Sequence, residues 1–158
     1  MIFINLMELL EQSSVAVSIR QSSWLYPFLE IIHITGIVIL VGPAFMFDLR
    51  LLGLSSDLSL VGLKRHLLTW SMRGLWLVIP SGLLLFITNA EELAKDRLFW
   101  LKMILLALAG CNAFIFNKII YKAGQGDKSF NSIAAKTAAL FSIVLWIAVI
   151  ACGRLLAY

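Results

Sequence analysis

The stretch from Trp24 to Gly53, WLYPFLEIIHITGIVILVGPAFMFDLRLLG, most constrains what this chain can fold into. It exceeds the roughly 20 apolar residues that a helix needs to cross a bilayer. Yet it carries Glu30, His33 and Asp48, which hydrocarbon disfavours. A helix turns about 100° per residue, so Tyr26, Glu30, His33, Ile37, Val41, Ala44 and Asp48 fall on one stripe. Lipid can cover the other faces, and the stripe is expected to look into protein. What else looks at Glu30 and His33 becomes the main functional question.

The remaining chain continues this pattern. With 61% hydrophobic residues and a mean hydropathy of +0.93, it is too apolar for a soluble domain. Its 158 residues suit a single bundle. Met1 to Gln21 spaces its apolar residues as a short amphipathic helix would, lying in the membrane interface. The segment has neither the basic start nor the unbroken apolar core of a secretory signal. Ser22 and Ser23 offer helix caps, and Pro27 is tolerated in a first turn. Four crossings follow, at about 24–47, 67–88, 99–120 and 136–158. A polar loop (Leu54 to Gly62), a charged connector (Asn89 to Arg97) and a Gly-rich loop (Tyr121 to Ser132) join them. The predicted class is an all-α integral membrane protein, a four-helix bundle with an N-terminal interfacial helix. Open sheets cannot satisfy their backbone in lipid, and no barrel alternation is present. Gly36, Gly42, Gly74, Gly82, Ala109 and Gly110 are candidate points of close helix approach.

The net charge of +4 is no nucleic-acid footprint, because the basic residues sit in the connections between apolar runs. One side holds Arg50, Lys64, Arg65, Lys118, Lys122, Lys128 and Lys136, and the other Arg20, Lys95 and Arg97. The positive-inside rule then puts both termini in the periplasm of a bacterium, with the bilayer as the first partner. Trp24, Tyr26, Trp100 and Tyr158 mark the outer interface. Cys111 and Cys152 lie within apolar runs and read as small buried residues.

Counted at about 1.5 Å per residue from the outer end, Glu30 lies roughly 9 Å deep, His33 roughly 14 Å, Lys102 roughly 5 Å and Arg154 roughly 6 Å. Long side chains bridge the differences, so Glu30, His33, Lys102 and Arg154 form the leading candidate cluster, in which Glu30 pairs with Lys102 or Arg154. An inner group, Asp48 with Arg50 and Arg73, reads as a structural clamp, and His66 as an interfacial residue. Asn112 and Asn117 offer hydrogen bonds on the third crossing.

His33 admits several chemistries. A buried imidazole ligates haem iron. His66 lies roughly 20 Å away along the bundle, so the two histidines cannot clamp one iron. Lys102 and Arg154 suit porphyrin propionates. Glu30-x-x-His33 has the spacing of carboxylate-bundle metal sites, but no further carboxylate lies at that depth. Copper would borrow Met103, and the methionines are not clustered. A quinone head group or a proton relay, and a non-catalytic accessory subunit, complete the alternatives.

The segments IIHITGIVILVG, FDLRLLGL, RGLWLVIPSGLLLF and FWLKMILLALAGCNAF follow in the order of an uncharacterised family of small bacterial inner-membrane proteins, which this chain resembles from Trp24 to Asn117. That family is distantly similar to copper-resistance D-type membrane domains and to the four-helix membrane protoporphyrinogen oxidases associated with haem b. Both begin with a His followed by small residues in the first crossing, and the oxidase has a Lys early in its third. The resemblance implies a porphyrin or redox role for His33 and Lys102. Those proteins generally carry more His, and Asn112 and Asn117 stand here where another His would help a haem. The expected function is a membrane protein holding haem or porphyrin, or secondly a quinone, near His33. An accessory subunit and copper handling rank behind it. Such a small bundle is also a candidate to form a homo-oligomer or to join a membrane complex.

Overall fold

A computed structural model describes residues 2–54, 60–120 and 132–156. Among these the chain forms seven α-helices and no strand. They are α1 (Ile2–Glu11), α2 (Ser14–Gln21), α3 (Leu25–Leu51), α4 (Leu60–Thr88), α5 (Ala90–Lys95), α6 (Arg97–Ile115) and α7 (Ile133–Leu155). A π-helical turn, Phe116–Ile120, extends α6. The fold is thus all-α, with four helices long and apolar enough to cross a membrane.

The N-terminal segment forms two helices where one was expected. The break falls at Ser13, whose Oγ accepts from the Ala16 N–H and caps α2. Ser22 Oγ then accepts from the N–H groups of Trp24 and Leu25 as α3 begins. Asp96 caps α6 through Leu98 N–H, and Ser132 caps α7 through Ala135 N–H. Short polar residues therefore set the starts of α2, α3, α6 and α7, and Gly53, at a φ of 108°, turns the chain out of α3. The charged connector after α4 holds the short helix α5, with Lys95 paired to Glu91 one turn earlier. Lys122, Lys128 and most of the expected Gly-rich loop lie outside the described residues, as does Tyr158.

Arg20 fastens the N-terminal helices to the bundle. Its guanidinium donates to Glu11 Oε1 at 2.8 Å, to the Glu11 carbonyl at 2.7 Å and to the Thr88 carbonyl at 3.0 Å. Glu11 Oε2 in turn accepts from Glu91 N–H. The pair thus satisfies an unpaired carbonyl at the end of α4 and an unpaired N–H at the start of α5.

The main helix contact joins α3 and α4. A Cβ added to Gly74 would lie 2.6 Å from Leu40 N and 2.9 Å from the Gly36 carbonyl oxygen; one added to Gly36 would lie 2.9 Å from Leu77 Cβ. The two backbones touch because neither glycine carries a side chain, as small residues permit between membrane helices. Ser71 Oγ crosses the same interface to donate to the Leu40 carbonyl at 2.5 Å. Gly42 and Gly110, also expected at close approaches, have nothing within 4 Å of an added Cβ. The other side of α3 meets α7, and α7 meets α6. Phe47, Leu51, Phe116, Ala135 and Ala139 form a buried core at the end near the α3–α4 loop. Asn112 Nδ2 links α6 to the Ala138 carbonyl on α7 at 3.0 Å.

Outward faces are apolar. Ile31, Ile34 and Val38 on α3, and Trp76 and Leu83 on α4, are exposed. Helices with apolar outsides of this length suit a bilayer, where all their backbone groups are already paired internally.

Candidate functional site

His33 stands on α3 one turn before Gly36, on the side of the helix pressed against α4. Its Nδ1 lies 2.9 Å from Ser81 Oγ on α4. The Ser81 hydroxyl donates back to the Leu77 carbonyl one turn earlier, at 2.5 Å. With that proton committed, Ser81 Oγ meets the ring as an acceptor, so Nδ1 carries the hydrogen. The Val78 carbonyl, which can only accept, also faces the ring. In this tautomer Nε2 is the lone-pair nitrogen, and it has no hydrogen-bond partner among the described residues. The Cε1 edge of the imidazole comes up against Gly82: an added Cβ there would lie 3.0 Å from His33 Cε1, 3.5 Å from Nδ1 and 3.9 Å from Nε2. Ser81 and Gly82 thus act together, one fixing the tautomer and the other giving the ring its place.

Lys102 enters from α6. Its Nζ lies 3.6 Å from where a Gly153 Cβ would be, so the side chain runs against α7 at Cys152 and Gly153. From there its charge acts on the His33 ring. Lys102 is half-buried and has no ion-pair partner among the described residues. A half-buried membrane cation without a counter-ion marks a place where an anionic group would be stabilised. His33 thus meets Ser81 across α3 and α4, Lys102 meets Gly153 across α6 and α7, and the Lys102 charge is in electrostatic reach of the ring.

The other expected members lie elsewhere. Glu30 is exposed on the outward side of α3, in electrostatic reach of Tyr26, and is in no ion pair among the described residues. The expected pairing of Glu30 with Lys102 or Arg154 is not formed. Arg154 is exposed near the end of α7. In the second group, Asp48 is buried at 8% exposure beside Ser142 of α7, and its Oδ2 has no hydrogen-bond partner. Arg73 instead lies exposed, with its Cζ 4.7 Å from the centre of the Trp70 ring. The expected clamp between Asp48 and Arg73 is therefore not formed, because α4 turns Arg73 away from α3. Arg50 is half-buried at the end of α3.

Sequence reading missed Ser81 and gave Gly153 no role, and it took Gly82 and Cys152 only as small packing residues. The signal for Ser81 was available: counted from the α1–α2 end, Ser81 on α4 has nearly the depth of His33 on α3. Among the described residues no three His, Cys, Asp or Glu side chains are grouped to hold a metal ion. That donor set does not suit a bare copper or dimetal centre, which draws several ligands from protein.

No curated protein and no solved structure matches the chain. One family model does, described as "Family of unknown function (DUF6644)", over residues 10–158. The match takes in α2 through α7, and with them every residue of the His33 site, so the chain belongs to this family of unknown function.

Proposed function

We propose that the chain is a bacterial inner-membrane protein that holds haem or a porphyrin at His33, with a quinone head group as the second choice. The observation that carries this reading is the state of His33: Nδ1 is committed to Ser81 while Nε2 is left with its lone pair, inside a bundle and beside an uncompensated ammonium. Second partners of this kind orient metal-ligating imidazoles. Bound haem would supply redox or ligand-exchange chemistry at iron. The chain's own part is then definite. His33 Nε2 would hold the iron, Ser81 would keep the ring from rotating, and Lys102 would offer a charge to a propionate, with Arg154 a further cation on the same side. For a quinone, Lys102 would donate to a carbonyl oxygen. Both termini lie in the periplasm in this reading, following the distribution of Lys and Arg.

The test is the absorption spectrum of protein purified after haem-supplemented expression. A Soret band is expected, absent in His33→Ala and retained in Glu30→Gln. Ser81→Ala should keep the fold and weaken haem retention by about 10- to 100-fold, the usual cost of losing an orienting partner. A colourless wild-type protein excludes the haem reading, and failure to bind a ubiquinone analogue as well excludes the ligand reading altogether. An accessory-subunit role is the second reading. It is favoured by the exposed Glu30 within a membrane-spanning helix, since lipid is a poor cover for that charge.

A further inference from the structure

The outward face of α4 carries a second feature, independent of the His33 site. Gly62, Arg65, His66, Thr69, Trp70 and Arg73 recur every three to four residues, so they line one side of the helix. Together they bound an open groove of about 410 Å³ near the end of α4 that follows the α3–α4 loop. All six are exposed. Among the described residues neither Arg65 nor Arg73 is in an ion pair. Thr69 commits its hydroxyl proton to the Arg65 carbonyl, which leaves the two guanidiniums, His66 and the Trp70 indole N–H as the groove's side-chain donors.

Arg73 shows how the charge is placed. Its Cα lies about two turns from His66, well inside the membrane-spanning segment. Its guanidinium, however, stacks on Trp70, one turn closer to the loop end. Helical side chains point toward their own N-terminus, and on α4 that direction leads to the interface. The Arg73 charge is thus carried about one turn toward the level of Arg65 and His66. Beyond them the same face becomes wholly apolar: Trp76 is 82% exposed, and Ile79 and Leu83 continue it.

We propose that this face of α4 binds an anionic phospholipid of the leaflet on the α3–α4 loop side. The phosphate is held by Arg65 and Arg73, and the acyl chains lie along Trp76 and Leu83. Charge complementarity selects the anion, because basic pockets on membrane helices attract acidic headgroups. Guanidinium forks bind phosphate oxygens in pairs, and an anionic headgroup, unlike a zwitterionic one, brings no cation of its own to repel Arg65 and Arg73. The apolar continuation selects a lipid over free phosphate, since a headless anion leaves Trp76 and Leu83 uncovered.

The test uses the full chain in detergent, titrated separately with dioleoylphosphatidylglycerol, dioleoylphosphatidylcholine and inorganic phosphate. Melting temperature and bound lipid, counted by native mass spectrometry, are read together. Phosphatidylglycerol should raise the melting temperature of the wild type and bind at least tenfold more tightly than phosphatidylcholine. Inorganic phosphate should do neither. The double variant Arg65→Gln with Arg73→Gln should lose this preference, Arg65→Lys with Arg73→Lys should recover part of it, and Lys95→Gln should leave it intact. Equal binding of the two lipids by the wild type would overturn the proposal, as would an unchanged preference in the double glutamine variant. A full response to inorganic phosphate would also overturn it, by assigning the groove to a free anion. Stabilisation by an acidic peptide in place of lipid would reassign the face to a protein partner.

Discussion

Substituting Gly74 by alanine tests the arrangement on which the His33 site depends. The added methyl would lie 2.6 Å from Leu40 N, 2.8 Å from Leu40 Cα and 2.9 Å from the Gly36 oxygen. All three are backbone atoms, so no side-chain rotation relieves the clash, and α3 and α4 must separate. That separation stretches two bonds across the interface, Ser71 to the Leu40 carbonyl and His33 to Ser81. Overpacking costs about 1–3 kcal/mol. Weakening two hydrogen bonds adds about 1 kcal/mol for each that is lost, and alanine's better helix propensity returns at most about 1 kcal/mol. The net expectation is a destabilisation of about 1–4 kcal/mol, read as unfolding in detergent by heat or denaturant. Gly42→Ala and Gly110→Ala serve as matched controls, because an added Cβ meets nothing within 4 Å at either position. They should unfold with the wild type or slightly later. If Gly74→Ala unfolded with the wild type, or the controls lost as much stability as it did, the close α3–α4 contact would be refuted. Haem retention, where present, should fall in Gly74→Ala in parallel with the displaced Ser81.

Three further outcomes follow from single side chains. Lys102→Met should raise the melting temperature of the ligand-free bundle by removing a half-buried charge that has no acid beside it, while weakening retention of any anionic ligand; a loss of stability would reveal a partner for Lys102. Asp48→Asn should leave stability unchanged or raise it by up to about 1–3 kcal/mol, because one carboxyl oxygen is buried without a partner; a clear drop in melting temperature would show that the carboxylate holds something in place. Glu30→Gln should melt with the wild type, since the exposed Glu30 is in no ion pair among the described residues, and a fall of several degrees would contradict its placement.

The four long apolar helices were legible because length and hydropathy decide them, and so was the cap at Ser22, whereas the caps at Ser13, Asp96 and Ser132 were not read. Which way each helix faces was less legible. The stripe from Tyr26 to Asp48 read as one protein-facing side, but α3 has two neighbours on different sides. Gly36 and Leu40 meet α4, whereas Phe47 and Leu51 sit in the core near α7. Glu30 is six residues from Gly36, about 120° around the helix, and so turns away from α4; His33 is only about 60° off and stays within reach. A periodicity count gives the spacing of polar residues but not the direction of the neighbouring helix. The same uncertainty separates Gly36 and Gly74, which touch, from Gly42 and Gly110, which do not. Depth was read more reliably than direction, and depth is what placed His33 and Lys102 in the same part of the bundle.

The glycine contacts of α3 and α4 have a mechanical consequence. These two helices form a stiff pair, locked by touching backbones and by hydrogen bonds from Ser71 and Ser81. In α6, by contrast, only Ala109 is buried, and the helix lies chiefly along α7. The imidazole is thus mounted on the rigid half of the molecule and the ammonium on the loosely seated half. The spacing of those two groups acts as a gauge of how far the halves have moved apart, and a spin-label pair on α4 and α6 would read it directly.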